Sequence, residues 1–82
     1  MRKQDHDYFQ TCITEGKKHS NNGEYPQALQ QFTMIINAAG ASHTLKAETY
    51  KQRSQVYKEI GNLAKANHDL EFSLQLNNTG LK

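Results

Sequence analysis

The chain repeats itself. Gly23-Glu24-Tyr25-Pro26-Gln27-Ala28-Leu29-Gln30-Gln31-Phe32 lies over Gly61-Asn62-Leu63-Ala64-Lys65-Ala66-Asn67-His68-Asp69-Leu70 without a gap, at an offset of 38 residues. The same offset sets Cys12 on Tyr50, Gly16 on Ser54, His19 on Tyr57, Ala28 on Ala66 and Ile36 on Leu74. One register over most of a chain marks a structural unit used twice, in which neither copy buries its apolar face alone. Length leaves room for little else, because 82 residues make one small domain with a thin core.

Each copy reads as two helices around a glycine turn. Phe9, Cys12, Gly16 and His19 recur at three- and four-residue spacing, and Asn21-Asn22-Gly23 then breaks the helix with residues that tolerate left-handed backbone. Pro26 suits the first turn of the next helix, where its missing N–H has no intrahelical partner anyway. That helix carries Ala28, Leu29, Phe32, Ile35 and Ile36 until Ala39-Gly40-Ala41 ends it. In the second copy Ala47, Tyr50, Ser54, Tyr57 and Ile60 mark the first helix, Gly61 the turn, and Leu63, Ala66, Leu70 and Leu74 the inward face of the second. The expected fold is all-α, four helices in two antiparallel hairpins. The units cover about 9–40 and 47–78, with 1–8 extending the first helix, 79–82 a tail, and a link from Ala39 to Thr44 between them.

One stretch resists that reading. From His68 to Asn78, apolar residues stand at every second position, Leu70, Phe72, Leu74 and Leu76, which taken alone is the pattern of a half-buried strand. Leu63 and Ala66 restore the helical spacing, and the matching segment of the first copy opens on Pro26, which a central strand excludes. The stretch is therefore expected to be helix. Phe72 then points about 200° around from Leu70, away from its own hairpin, with Leu76 one turn on. Together they form an apolar spot for a second copy or a partner, unless Phe72 folds onto the tail Thr79-Gly80-Leu81-Lys82. The second copy is more polar where Leu29 becomes Asn67 and Ile35 becomes Ser73, as a capping helix is.

These features resemble the tetratricopeptide repeat, W-x2-L-G-x2-Y, then A-x3-F, then P, over about 34 residues. The first copy has Cys12-x2-Glu15-Gly16-x2-His19, then Ala28-x3-Phe32, with Gly40 in the proline slot. The second has Tyr50-x2-Arg53-Ser54-x2-Tyr57, then Ala66-x3-Leu70, with Asn78 in that slot. The small-residue and turn positions match well, the first-helix aromatic and leucine slots poorly. The longer period looks like that of adaptor proteins in the family. The three-helix microtubule-interacting-and-trafficking domain is similar in length and also uses a hairpin like Gly23 to Leu29, but it predicts no second glycine turn in register at Gly61.

The resemblance implies a short right-handed superhelix whose first helices line a concave groove for a peptide. The groove residues implied are Gln10, Ile13, Lys17, Ser20 and Asn21 from the first copy. Glu48, Lys51, Gln52, Gln55, Lys58 and Glu59 come from the second. Lys17, Lys51 and Lys58 suit an acidic peptide or a terminal carboxylate, or else are the solvated face of amphipathic helices. One branch of the family clamps the C-terminal carboxylate of cytosolic chaperones. Tyr50-Lys51-Gln52-Arg53-Ser54 looks like part of that clamp, but Ile13, Lys17 and Gln52 replace three of its donors and a third repeat is missing, so the ring of donors is incomplete.

Composition bounds the remaining possibilities. A formal charge of +2, with acids scattered among the bases, does not call for nucleic acid or an acidic membrane. No apolar run approaches the roughly 18 residues of a membrane span, and Met1 to Asp7 leads into no signal core, so a cytoplasmic or nuclear location is expected. Cys12 is the single cysteine, in keeping with a reducing compartment. Asn77-Asn78-Thr79 matches a glycosylation acceptor by chance in that setting. His6, His19, His43 and His68 lack metal-ligand spacing; His19 and Cys12 fit core slots, although Lys17 and Lys18 stand a turn from the thiol. Glycines sit singly at helix ends rather than in phosphate loops, and carboxylate pairs such as Asp69 and Glu71 are ordinary on helix surfaces. The expected activity is non-enzymatic, with no cofactor or metal. A peptide-binding adaptor ranks first, a structural subunit or homodimer second, and a nucleic-acid binder third, the last hinted at only by Tyr50 beside Lys51 and Arg53.

Overall fold

The computed structural model describes the backbone of residues 3–80 and the side chains of residues 7–76. It contains four helices, α1 (Lys3–Asn21), α2 (Tyr25–Ile36), α3 (His43–Glu59) and α4 (Leu63–Gly80). Helix α1 packs on α2, α2 on α3 and α3 on α4, while α1 meets α3 over a smaller area. The arrangement is all-α and consistent with two stacked hairpins. The stretch around Leu70 to Leu76 is helix, as its neighbours predict.

The two hairpin turns share their hydrogen bonds one for one. After α1, Gly23 N–H donates to Ser20 O at 3.1 Å and Glu24 N–H to His19 O at 2.8 Å. After α3, Gly61 N–H donates to Lys58 O at 3.1 Å and Asn62 N–H to Tyr57 O at 2.8 Å, each partner displaced by the same 38 residues. This is the six-to-one and five-to-two pattern that closes a helix on a left-handed residue. Gly23 and Gly61 hold φ of 78° and 85°, where a Cβ costs about 1 to 2 kcal/mol. Gly23→Ala and Gly61→Ala are each expected to lower the melting temperature by about 4 to 8 °C per kcal/mol. Since a Cβ at either site meets nothing within 4 Å, matching losses in calorimetry isolate the backbone effect. A silent Gly61→Ala rules it out.

Helix boundaries differ from expectation at the link. Ser42 Oγ accepts the Leu45 N–H at 3.1 Å and so caps α3, which puts His43 and Thr44 inside the helix instead of the link. Helix α2 stops at Ile36, and Ala41 turns inward to 8% exposure. There it joins Phe9, Cys12, Ile13 and Ile35 in one core cluster. A second cluster gathers Ala28 and Phe32 of α2 with Val56 of α3. Cys12 fills a core position as a small apolar group. Beside it the Tyr8 hydroxyl is held above its ordinary pKa, chiefly by a hydrogen bond to Cys12.

Of the inward face expected for α4, only Ala66 is buried. Ala66, Asp69 and Ser73 are buried, while Leu63, Leu70 and Leu74 are 59%, 42% and 57% exposed. Polar pairing replaces apolar packing there. Asp69 receives two hydrogen bonds from Arg53 of α3, Nε to Oδ2 at 2.7 Å and Nη2 to Oδ1 at 2.9 Å. Ser73 Oγ donates to Ala47 O at 2.8 Å. Among the described residues no buried side-chain nitrogen or oxygen lacks a partner, so the polar interior carries no unmet desolvation cost.

Candidate functional site

Where α1 and α3 separate, a cleft of about 490 Å³ opens between them. Ile13 and Leu45 form its apolar floor, and both also pack into the first core cluster. Gln10 and Lys17 stand on the α1 wall and Glu48 on the α3 wall, with Ser42 and Thr44 closing the end beside the link. Helix periodicity explains the wall, because Gln10, Ile13 and Lys17 are three and four residues apart. The Ser42 cap starts α3 early enough to bring Thr44 and Leu45 over it. Lys17 and Glu48 are exposed and unpaired to one another, so the walls carry opposite charges around an apolar floor. A concave surface of this size and mixture suits a side chain or two of an extended or helical segment.

The predicted groove residues do not form one surface. Gln10, Ile13, Lys17 and Glu48 share this cleft, and Ile13 contributes as its buried floor at 5% exposure. Lys51, Gln55 and Lys58 instead line a depression between α3 and α4. Ser20, Asn21, Gln52 and Glu59 line neither. His19 is half-buried and its Nδ1 lies 2.8 Å from Glu24 Oε1, bracing the first turn.

Phe72 turns to its own hairpin. Its ring stacks on Tyr50 of α3 at 5.3 Å and meets His68 edge-on at 4.8 Å, yet it is still 39% exposed, so it reaches α3 while leaving part of the expected apolar spot open. Leu76 is half-buried. The proposed contact of Phe72 with Thr79 to Lys82 lies outside the described side chains, as do His6 and Asn77 to Thr79.

Sequence reasoning missed Ser42, Thr44 and Leu45 of the cleft, and away from the cleft it missed the structural pair of Arg53 and Asp69. Arg53 lies over the rings of Tyr50 and Tyr57 at 5.5 and 5.6 Å, and its Nη1 donates to Thr33 of α2 at 3.2 Å. It therefore ties three helices together. The hydrogen bonds to Asp69 hold the guanidinium above its already high ordinary pKa, against the opposing effect of burial. Ala66, Asp69, Ser73 and Leu76 share the three- and four-residue spacing of one helix face, but polar residues at that spacing do not mark the face as buried.

Among the described residues no group of three or more histidine, cysteine, aspartate or glutamate side chains is placed to hold a metal ion, and no helix is long and apolar enough to cross a membrane. The described residues form four helices, consistent with two stacked hairpins, with a mixed-charge cleft between α1 and α3. No protein-family model, curated protein or solved structure matches it.

Proposed function

We propose that this chain is a non-enzymatic protein-interaction module of the tetratricopeptide kind, holding a segment of a partner protein between α1 and α3. The observation that carries this reading is the cleft itself, an apolar floor at Ile13 and Leu45 rimmed by Lys17 and Glu48. The matched turns at Gly23 and Gly61 support the repeat reading behind it. A fitting segment places an apolar side chain on the floor, an acid toward Lys17 and a donor toward Glu48. The buried, unpaired Cys12 fits a reducing compartment such as the cytoplasm.

A photo-crosslinking residue at Gln10 tests the assignment in the native cell. It is expected to capture a protein that the same residue at exposed Gln30 on α2 does not. Lys17→Glu is then expected to weaken that partner about tenfold, about 1.4 kcal/mol, without altering the circular dichroism. Equal capture from Gln10 and Gln30, or binding indifferent to Lys17→Glu, rejects the cleft as the site.

A further inference from the structure

The depression between α3 and α4 has an occupied counterpart in the first hairpin. It is lined by Leu63, Ala66 and Leu70 of α4 and flanked by Lys51 and Lys58 of α3. Moved back 38 residues, its α4 wall becomes Tyr25, Ala28 and Phe32, and on those residues lies Val56 of α3. Its α3 wall becomes Ile13, Lys17 and Ser20 opposite Lys51, Gln55 and Lys58, and Ile13 and Lys17 face Leu45 and Glu48 across the cleft. Among the described residues the first hairpin is therefore covered by a helix where the second is bare. Phe32 is 1% exposed beneath that cover, whereas Leu70 in the same register is 42% exposed.

We propose that the α3–α4 depression is a docking site for an amphipathic helix of another protein, laid as α3 lies on the first hairpin, with acidic residues on the flank that meets Lys51 and Lys58. Charge selects this occupant. The lining carries two lysines and no carboxylate, so an apolar stripe alone leaves both ammonium groups uncompensated at the rim. A second copy stacked head to tail presents α1, and in the register of Leu45, Glu48, Gln52 and Val56 it offers Asp7, Gln10, Thr14 and Lys18, all exposed and none of them apolar, so it brings no apolar stripe to Leu63 and Leu70. The register also says where the acids belong. Glu48 shares the cleft with Ile13 and Lys17, whose counterparts are Lys51 and Gln55, and Gln52 lies one turn further along α3, toward the counterpart of Lys58.

The test uses a synthetic peptide copied from α3, His43–Glu59, carrying Gln52→Glu, and a control peptide carrying Glu48→Lys and Gln52→Lys. Each is titrated into the full chain by fluorescence anisotropy, with amide chemical shifts locating the contact. The acidic peptide is expected to bind saturably and to shift Leu63, Ala66 and Leu70. Its affinity is expected to fall about tenfold with Leu70→Gln in the protein and again with Lys51→Glu plus Lys58→Glu, and the control peptide is expected to prefer the latter variant. These protein positions are exposed, so the variants keep the fold. Absence of saturable binding, equal binding of both peptides, or shifts confined elsewhere overturns the proposal. Concentration-dependent dimers of the chain that Leu70→Gln dissolves overturn it in favour of a second copy. Lys17→Glu and Leu70→Gln act on separate surfaces, so this proposal and the α1–α3 cleft fail independently.

Discussion

Asp69→Ala is expected to destabilise the chain by about 3 kcal/mol or more, the cost of removing one partner from a buried ion pair. A protein of this size has only about 4 to 12 kcal/mol in total, so urea denaturation followed by circular dichroism is expected to show a large fall in midpoint. The side chains of Arg53 and Asp69 are 17% and 3% exposed. Without the carboxylate, the guanidinium keeps one neutral hydrogen bond, to Thr33, and remains held between helices. Its loss is one of pairing more than of packing. The double replacement Arg53→Met with Asp69→Leu is accordingly expected to recover most of the stability, since no charge is then stranded. If Asp69→Ala unfolds at the wild-type midpoint, the pair is not structural.

The second large effect is expected at the crossing of α1 and α2. A Cβ built on Gly16 falls 2.5 Å from Cε1 and 2.7 Å from Cζ of Phe32, closer than real atoms approach. Phe32 has little room to retreat, being 1% exposed and packed with Ala28 and Val56. Mid-helix glycine to alanine ordinarily gains about 1 kcal/mol. Here Gly16→Ala is expected to cost about 1 to 3 kcal/mol, because overpacking outweighs propensity. Phe32→Ala alone is expected to cost about 3 to 5 kcal/mol through the cavity it leaves. In that background Gly16→Ala is expected to change sign and stabilise, as the obstructing ring is gone. A double-mutant cycle by chemical denaturation reads the coupling directly, and additive effects would show that the close approach is not real.

How much of this was written legibly in the residues differs between the hairpins. Gly23 and Gly61 announced both turns, because a helix that must reverse abruptly needs left-handed backbone that few residues adopt. Phe32 and Ile35 announced the first core, because large apolar groups at helical spacing have one economical place to go. The second core misled for a physical reason. Leu63, Leu70 and Leu74 form as good an apolar stripe as Ala66, Asp69 and Ser73 form a polar one, and periodicity alone chooses the former. The choice turned on the partner of Asp69, sixteen residues upstream in another helix, and no local pattern reports that pairing. The cleft was half legible. Gln10, Ile13, Lys17 and Glu48 were implied by the family resemblance, but Ser42 and Leu45 depend on a cap that starts α3 several residues earlier than the apolar pattern does.

Among the described residues each helix touches its chain neighbours, with the light α1–α3 contact the only skip. Mechanically the molecule is a series circuit. A pull on α4 is transmitted to α1 through α3, and Arg53, bound to Asp69 on one side and Thr33 on the other, is a rivet through which that load crosses between the halves, beside the packing of Val56 on Ala28 and Phe32.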